Sequence, residues 1–313
     1  MKKTIRLGTR GSPLALVQAE EIKRRLFAAH PHLAEETTIE IIPIRTTGDW
    51  KPEHKDRRFV EMGGNKGLFT KEIEEALLSE HIDIAVHSLK DVASVLPPEL
   101  VIGAVIARND PRDAFIGRTA KTLADLPIGA VVGSSSLRRQ AQILAQRPDL
   151  RVVPLRGNVE TRLKKLEDGL ADATILALSG MARLGVDDRI SSILPVSAML
   201  PAAGQGALGV EIRQGDEESR KLLLPLNDPN TEACITAERA VMRAVDGTCN
   251  TPAGAYATLT PGGQLAIEAL VARANGQDLV RLAATGNPAD ADQIGEMLGQ
   301  NLRKRSPKDL FAA

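Results

Sequence analysis

The chain is 313 residues long, which at ~150 residues per domain predicts two or three domains. Lys plus Arg number 40 and Asp plus Glu number 40; this neutral total argues against a general nucleic-acid or membrane-surface role but allows a segregated basic pocket. Hydrophobic residues make up 43% and aromatics 2%, so the cores must be built from Leu, Ile, Val and Ala, and no platform for stacking bases is expected.

The first half alternates strands and helices. Thr4–Leu7 reads as a strand, and Ser12-Pro13 as an N-cap followed by proline at the first helical position. The helix runs to about Ala29 and stops before Pro31. Arg6 and Arg10 interrupt the apolar stretch that a signal peptide would need. No run of about 18 apolar residues appears, so no membrane span is expected and the cytoplasm is the expected compartment. Ile39–Ile44 is a second strand. Asp49–Asn65 is polar, charged and glycine-bearing, which predicts a mobile loop that acts as a lid. Leu68–Ser79 has helical spacing, and Ile82–Val86 is a short apolar strand. The alternation predicts an α/β domain with a largely parallel sheet.

The pattern then recurs. Ala130–Gly133 is a strand, Ser134-Ser135-Ser136 a cap region, and Leu137–Arg147 a helix ended by Pro148. Arg151–Pro154 is a strand, Asn158–Asp168 a helix closed by Gly169, and Ala173–Leu176 another strand. GTRGSPLAL and GSSSLRRQ thus occupy equivalent strand-to-helix turns, which predicts two similar α/β domains. Pro97-Pro98 and Asn109–Asp113 flank one candidate crossing between them, and Pro201–Gly206 marks another. Leu208–Ile212 reads as a strand returning to the first domain. From Asn227 the texture changes to a helix over Thr231–Val245, a Cys-bearing loop, three strands and a final helix near Ala289–Arg303. These features predict a division into 1–106 with 206–224, then 110–202, then a small α+β domain over 227–313.

Arginine beside helix starts is the most informative feature. Arg10, Arg138, Arg139, Arg156, Arg162 and Arg183 lie at or near predicted strand-to-helix turns, which line the ligand crevice of open α/β sheets. Helix N-termini favour anions there, and guanidinium adds bidentate recognition of carboxylates. Ser12, Ser134, Ser135 and Ser136 could donate further hydrogen bonds. The expected ligand carries several carboxylates or phosphates, although a GxxxxGK[ST] loop is absent. In DIAVHSLKD, the residues His87, Ser88, Lys90 and Asp91 crowd into the exit of an apolar strand. A catalytic cluster and a plain Lys–Asp surface turn both fit that segment, and no GxSxG elbow marks a hydrolase. Cys249 sits in the loop DGTCNTP, where an accessible thiolate would be nucleophilic. For a lone cysteine a structural role is the more common one. Cys234 lies in an apolar helical stretch and reads as a small core residue. The two cysteines form neither a disulfide framework nor a close CxxC pair, so no metal site is expected.

The segments TRGSPLAL, GGNKGLFTKEIE, DIAVHSLKDV, NDPRDAF, VGSSSLRRQ, RPDL, LRGNVETRL, LPAAGQGALG, TAERA and DGTCNTPAG follow one another over nearly the whole chain. Together they resemble the porphobilinogen deaminase (hydroxymethylbilane synthase) family. The resemblance implies two α/β domains like periplasmic binding proteins, with a cleft between them, and a small C-terminal α+β domain in a monomer. It implies a transferase of tetrapyrrole (haem) biosynthesis. Four porphobilinogen molecules would be joined head to tail on a covalent dipyrromethane cofactor, with loss of ammonia, and hydroxymethylbilane released by hydrolysis. The partners would be porphobilinogen and the growing polypyrrole, with no nucleic acid and no membrane. Cys249 would carry the cofactor by a thioether bond, and Asp91 would be the catalytic carboxylate beneath the pyrrole nitrogens. Arg10, Ser12, Lys90, Ser136, Arg138, Arg139, Arg156, Arg162 and Arg183 would hold acetate and propionate groups. Ser88 and Lys66 would belong to the same cleft, Phe69 would pack near substrate, and Gln205 would sit at the hinge. The chain departs from the family pattern in Gly63-Gly64-Asn65-Lys66-Gly67, where Asn65 is inserted, and at Thr248, where glycine is common.

Arginines that bind carboxylates in ground and transition states alike supply mainly positioning. A carboxylate fixed near the ring nitrogens would instead stabilise developing positive charge or relay protons. A non-catalytic carboxylate-binding receptor or regulator of periplasmic-binding-protein type also explains the arginines and the repeat, but not Cys249. A cysteine hydrolase leaves the arginine set without a purpose.

Overall fold

The computed structural model describes residues 3–48, 69–247 and 251–311; the expected loop Asp49–Asn65 lies outside them. β1 (Lys3–Arg10) breaks at Gly11 and gives way to α1 (Pro13–Ala29). Ser12 caps that helix by accepting from the Ala15 N–H at 3.3 Å, and Pro13 fills the position where a missing N–H costs nothing. The chain continues through α2 (Leu33–Glu36), β2 (Thr37–Ile44), α3 (Lys71–Leu78) and β3 (Ile84–Ser88) into a one-turn 3-10 segment, Leu89–Asp91, and then β4 (Leu100–Val105). After the crossing come β5 (Asp113–Gly117), β6 (Val131–Gly133), α4 (Leu137–Gln146), β7 (Arg151–Val153) and α5 (Val159–Glu167). β8 (Ala173–Ala177), α6 (Leu178–Leu184) and β9 (Ser192–Leu194) complete that unit, and the chain returns through β10 (Leu208–Arg213) and α7 (Glu217–Leu223). The last part is α8 (Pro229–Ala244), β11 (Ala253–Leu259), β12 (Leu265–Val271), β13 (Val280–Gly286) and α9 (Ala291–Arg305).

The first two sheets have one design. Their strand orders are β2-β1-β3-β10-β4 and β7-β6-β8-β5-β9. In each, the first three neighbours are parallel and joined by helical crossovers, while the fourth strand runs antiparallel. That fourth strand is the one carried by the crossing. β5 is the first strand after the chain leaves the first sheet, and β10 is the first after it returns, pairing Leu208 with Ser88. The expected largely parallel sheet is met by four of the five strands in each, and the exception is the strand that arrives from the other unit and inserts without a crossover helix. The expected return of Leu208–Ile212 to the first sheet is met.

Each sheet buries aliphatic residues, as the composition requires. Leu7, Ile22, Leu26, Ile84 and Val210 fill the core between the first sheet and α1. Phe115, Val132, Ile143 and Ile175 pack on one face of the second sheet, and Ile116, Leu163, Leu166 and Met181 on the other. The third unit is the small α+β domain, with α8 and α9 against a three-stranded antiparallel sheet. The two helices approach closely because Gly295 and Gly299 face α8: a Cβ at Gly295 would lie 2.2 Å from the Ala237 carbonyl oxygen. Cys234 is buried in this core, as expected. No helix among the described residues is long and apolar enough to cross a membrane.

Candidate active site

The loops leaving β1, β3 and β8 meet around one cavity, lined by Arg10, Ser12 and Gln18, by Phe69 and Thr70, by His87, Ser88, Lys90 and Asp91, and by Ser179, Gly180 and Arg183. The turn after β3 is the best-fixed part of it. Leu89 is 2% exposed and packs with Val92, Val105, Ala207 and Ile235. Burying Leu89 leaves Lys90 and Asp91 to line the cavity. The Leu89 N–H donates to the Ala207 carbonyl at 3.1 Å. Gly204, at φ +76°, lies so close that a Cβ there would come within 2.8 Å of the Leu89 carbonyl carbon and 2.9 Å of the Lys90 nitrogen. Arg239 on α8 also donates to the Ala93 carbonyl at 2.7 Å. The strand, the return crossing and the third domain thus hold one short turn.

Electrostatically the site is cationic. Burial pushes the Lys90 amine down to about 8; Asp91 partly opposes this, and Arg139 adds to it. Arg162 is likewise pushed down to about 10 by burial and by repulsion from Arg139, Arg156 and Arg10, against the attraction of Asp91. Asp91 comes from the first sheet's turn and Arg162 from α5 of the second unit, so one carboxylate influences cations on both sides of the cleft. Arg10 stacks over the Phe69 ring, 4.4 Å from its centroid. Arg156 is buried, and the Arg162 Nε donates to the Gly157 carbonyl at 2.8 Å.

Asp113, missed by the sequence reading, organises the second side. Fully buried at the start of β5, it accepts from Arg138 Nη2 at 2.8 Å and from Arg139 Nη2 at 2.7 Å. Burial opposes its ionisation, but the two arginine charges outweigh that and hold its carboxyl well below the usual carboxylate range. Arg138 also donates to the Leu200 carbonyl at 2.6 Å, and Ser136 caps α4 by accepting from the Arg139 N–H at 3.4 Å. Gln205 donates to Asp113 at 2.9 Å and to the Pro111 carbonyl at 2.5 Å, while its own carbonyl accepts from Arg108 Nε at 2.8 Å. Arg108 pairs with buried Glu238 of α8, which also accepts from the Gly204 N–H at 2.7 Å. Gln205 therefore joins both crossings, whereas Ser136, Arg138, Arg139, Arg156, Arg162 and Gln205 do not line the cavity. An acid placed directly before Ala114-Phe115-Ile116 was the available signal for Asp113, since a carboxylate entering an apolar strand needs a buried partner. Also unforeseen is the buried pair His87–Glu211, Nε2 to Oε2 3.0 Å, beside the Leu89–Asp91 turn. Lys66 and Cys249 lie outside the described residues.

This donor set fits a ligand bearing several carboxylates, as a dipyrromethane with acetate and propionate arms would be. Arg138, Arg139 and Arg156 are buried, and Arg139 stands close enough to lower the pKa of both Lys90 and Arg162, while Asp113 is already shared by two arginines. Arg139 Nε and Ser135 Oγ are buried with no hydrogen-bond partner. Clustered buried cations need anionic partners to offset their desolvation, and orphaned buried donors need acceptors.

Residues 5–221 match the family model described as porphobilinogen deaminase, dipyromethane cofactor binding domain, and residues 232–304 match porphobilinogen deaminase, C-terminal domain. The porphobilinogen deaminase of Chromobacterium violaceum is 48% identical over 308 residues, covering 98% of this chain and 96% of that protein. That of Syntrophobacter fumaroxidans is 47% identical over 300 residues, covering 96% and 94%. The chloroplastic porphobilinogen deaminase of Oryza sativa subsp. japonica is 46% identical over 310 residues, covering 98% and 85%. Among solved structures, the methionine-binding protein MetQ is 12% identical with a TM-score of 0.45, covering 71% of this chain and 89% of that one. Full-length identity of this order, on top of a cation-lined cleft suited to polycarboxylates, places the chain in the porphobilinogen deaminase family.

Proposed function

We propose that this chain is the enzyme its family name describes: a transferase that joins four porphobilinogen molecules head to tail, with loss of ammonia, and releases hydroxymethylbilane. The observation that carries the reading is the pinned turn Leu89–Asp91, which sets one carboxylate among the clustered cations of a cleft between two α/β units. Cys249 would hold the dipyrromethane cofactor through a thioether, and the cofactor would supply a pyrrole carbon nucleophile.

The remaining chemistry belongs to the chain's own residues. Ser88, Lys90, Ser136, Arg138, Arg139 and Arg156 bind and orient the cofactor's carboxylates, with Arg138 and Asp113 bracing Arg139. Arg10, Ser12, Lys66, Arg156, Arg162 and Arg183 do the same for the substrate, and Phe69 packs beside it. These contacts lower the entropic cost of bringing two pyrroles together. Asp91 meets the positive charge that develops when ammonia leaves, and it accepts or holds the proton lost on coupling. Gln205 ties the two crossings about which the α/β units adjust as the product lengthens. In this reading the three domains are 1–106 with 206–224, 110–202 and 227–313, in a cytoplasmic monomer. A receptor of periplasmic-binding-protein type finds no support among relatives that are all named deaminases.

Intact mass followed by peptide mapping tests the attachment. A dipyrrole adduct should map to Cys249, be lost in Cys249→Ser, and persist in Cys234→Ser. The Cys234 thiol is buried and pushed up to about 11, which keeps it protonated and unreactive. An adduct on Cys234, or none in a folded and active preparation, would contradict the assignment.

A further inference from the structure

α1 of the first unit and α6 of the second meet at the rim of the cavity. A methyl group added at Gly180 would touch Leu14 Cδ2 at 3.4 Å, so the two helices are already close there. Gln18 lines the cavity, and Glu21 stands one turn further along the same helix. The two carboxylate oxygens of Glu21 are divided between two arginines. Oε1 accepts from Arg25 Nη2 at 2.8 Å and from Arg25 Nε at 3.1 Å. Oε2 accepts from Arg183 Nε at 3.2 Å, across the cleft. The Glu21 and Arg183 side chains are 12% and 7% exposed, so the contact is shielded from competing water and salt. Burial raises the Glu21 carboxyl pKa, but the Arg25 hydrogen bond and the Arg183 charge outweigh burial and keep it ionised at neutral pH.

We propose that Glu21 is a positioning residue for substrate binding: by holding Arg183 through Nε, it directs the guanidinium's Nη edge toward a carboxylate of the incoming pyrrole. A guanidinium is a planar fork, and a partner on its Nε side leaves the two Nη groups as a pre-aimed bidentate donor. Arg25 fixes Glu21 in turn, giving a chain of contacts from Arg25 through Glu21 to Arg183 and the cavity. Without the intervening carboxylate, Arg25 and Arg183 repel each other, and Arg183 must lose its rotamer freedom each time substrate binds. The proposal rests on the reading above that Arg183 binds a substrate carboxylate.

The test compares Glu21→Gln, Arg183→Leu and the double variant as holoenzymes. Steady-state kinetics are read beside amide hydrogen exchange of α6 without substrate. Glu21→Gln should raise KM for porphobilinogen by about tenfold, with kcat within about twofold of the parent, since only an orienting contact is lost. It should also speed exchange across Leu178–Leu184. In the Arg183→Leu background the same substitution should add nothing to KM. An unchanged KM in Glu21→Gln, alongside a raised KM in Arg183→Leu, would overturn the positioning role while leaving Arg183 a substrate ligand. An equal rise in KM with and without Arg183 would overturn it too. A parental KM in Arg183→Leu would remove the substrate role of Arg183 itself, and the proposal with it.

Discussion

Asp113→Asn probes the frame of the arginine cluster. Asp113 is fully buried and accepts from Arg138, Arg139 and Gln205 at 2.8, 2.7 and 2.9 Å. Asparagine keeps the volume and one acceptor oxygen, but it turns an NH2 group toward one of the three donors and removes the charge that both arginines contact. Breaking one side of a buried ion pair costs about 3–5 kcal/mol, because the remaining charge stays desolvated. At ~4–8 °C per kcal/mol for a unit of this size, the melting temperature of the second unit should fall by roughly 12–40 °C. The pH dependence has a definite sign. The Asp113 carboxyl is held below its ordinary range, so its contribution is fully present above the unfolded value near 4 and is lost only as pH falls through the lower, folded value. The gap between parent and variant should therefore stay flat from pH 8 to about pH 5 and close only in strong acid. Thermal or urea unfolding monitored by circular dichroism over that range measures it. A fall of less than ~2 °C, or a gap that closes near neutrality, would refute the argument that this carboxylate carries both arginines.

Two further consequences can be measured directly. With its pKa near 8, Lys90 should be about half unprotonated at pH 8 in cofactor-free Cys249→Ser. Reductive methylation should then label it before exposed Lys71 or Lys164, and the carboxylates of a loaded cofactor should suppress that labelling. Equal labelling in the two forms would count against contact between Lys90 and those carboxylates. Gly204→Ala and Gly215→Ala both place a side chain at positive φ, +76° and +84°, but only the first meets the backbone of Leu89 and Lys90. Gly215→Ala should lose about 1–2 kcal/mol of stability and Gly204→Ala more, because it must also displace that backbone, and only Gly204→Ala should also slow turnover. Matching kinetics in the two variants would mean that the turn tolerates displacement.

Local chemistry made much of this molecule legible. Ser12-Pro13 and the stop before Pro31 placed α1 at its observed bounds, and Gly169 closed α5 where expected, at φ +82°. The turns after β1 and β6 announced themselves through small residues next to arginine, and the cavity gathers Arg10, Ser12, Phe69, Ser88, Lys90, Asp91 and Arg183 around one space. What escaped the sequence depends on distant partners. β9 is three residues long, and β5 pairs antiparallel with β8 from across the unit. α6 begins directly after β8, over a stretch for which no helix was expected. His87 and Glu211 are 124 residues apart in the chain, and only the insertion of β10 beside β3 brings them together. Asp113 needed its arginines, and Glu21 needed a helix from the other sheet, before either could be read as more than a charge.

In the proposed mechanism Asp91 works by charge at a fixed place. Asp91→Asn preserves the shape of the turn that Leu89, Gly204 and the Ala207 carbonyl hold, and it leaves the arginines free to bind substrate carboxylates. The decisive measurement is single-turnover addition of porphobilinogen to cofactor-loaded enzyme, followed by mass spectrometry of the enzyme-bound chains. Addition should slow by ~10² or more in Asp91→Asn, with Asp91→Glu between it and the parent because its charge is kept but displaced by a methylene. Addition at the parental rate in Asp91→Asn, with cofactor confirmed in place, would contradict the account and leave Asp91 only a structural neighbour of Lys90.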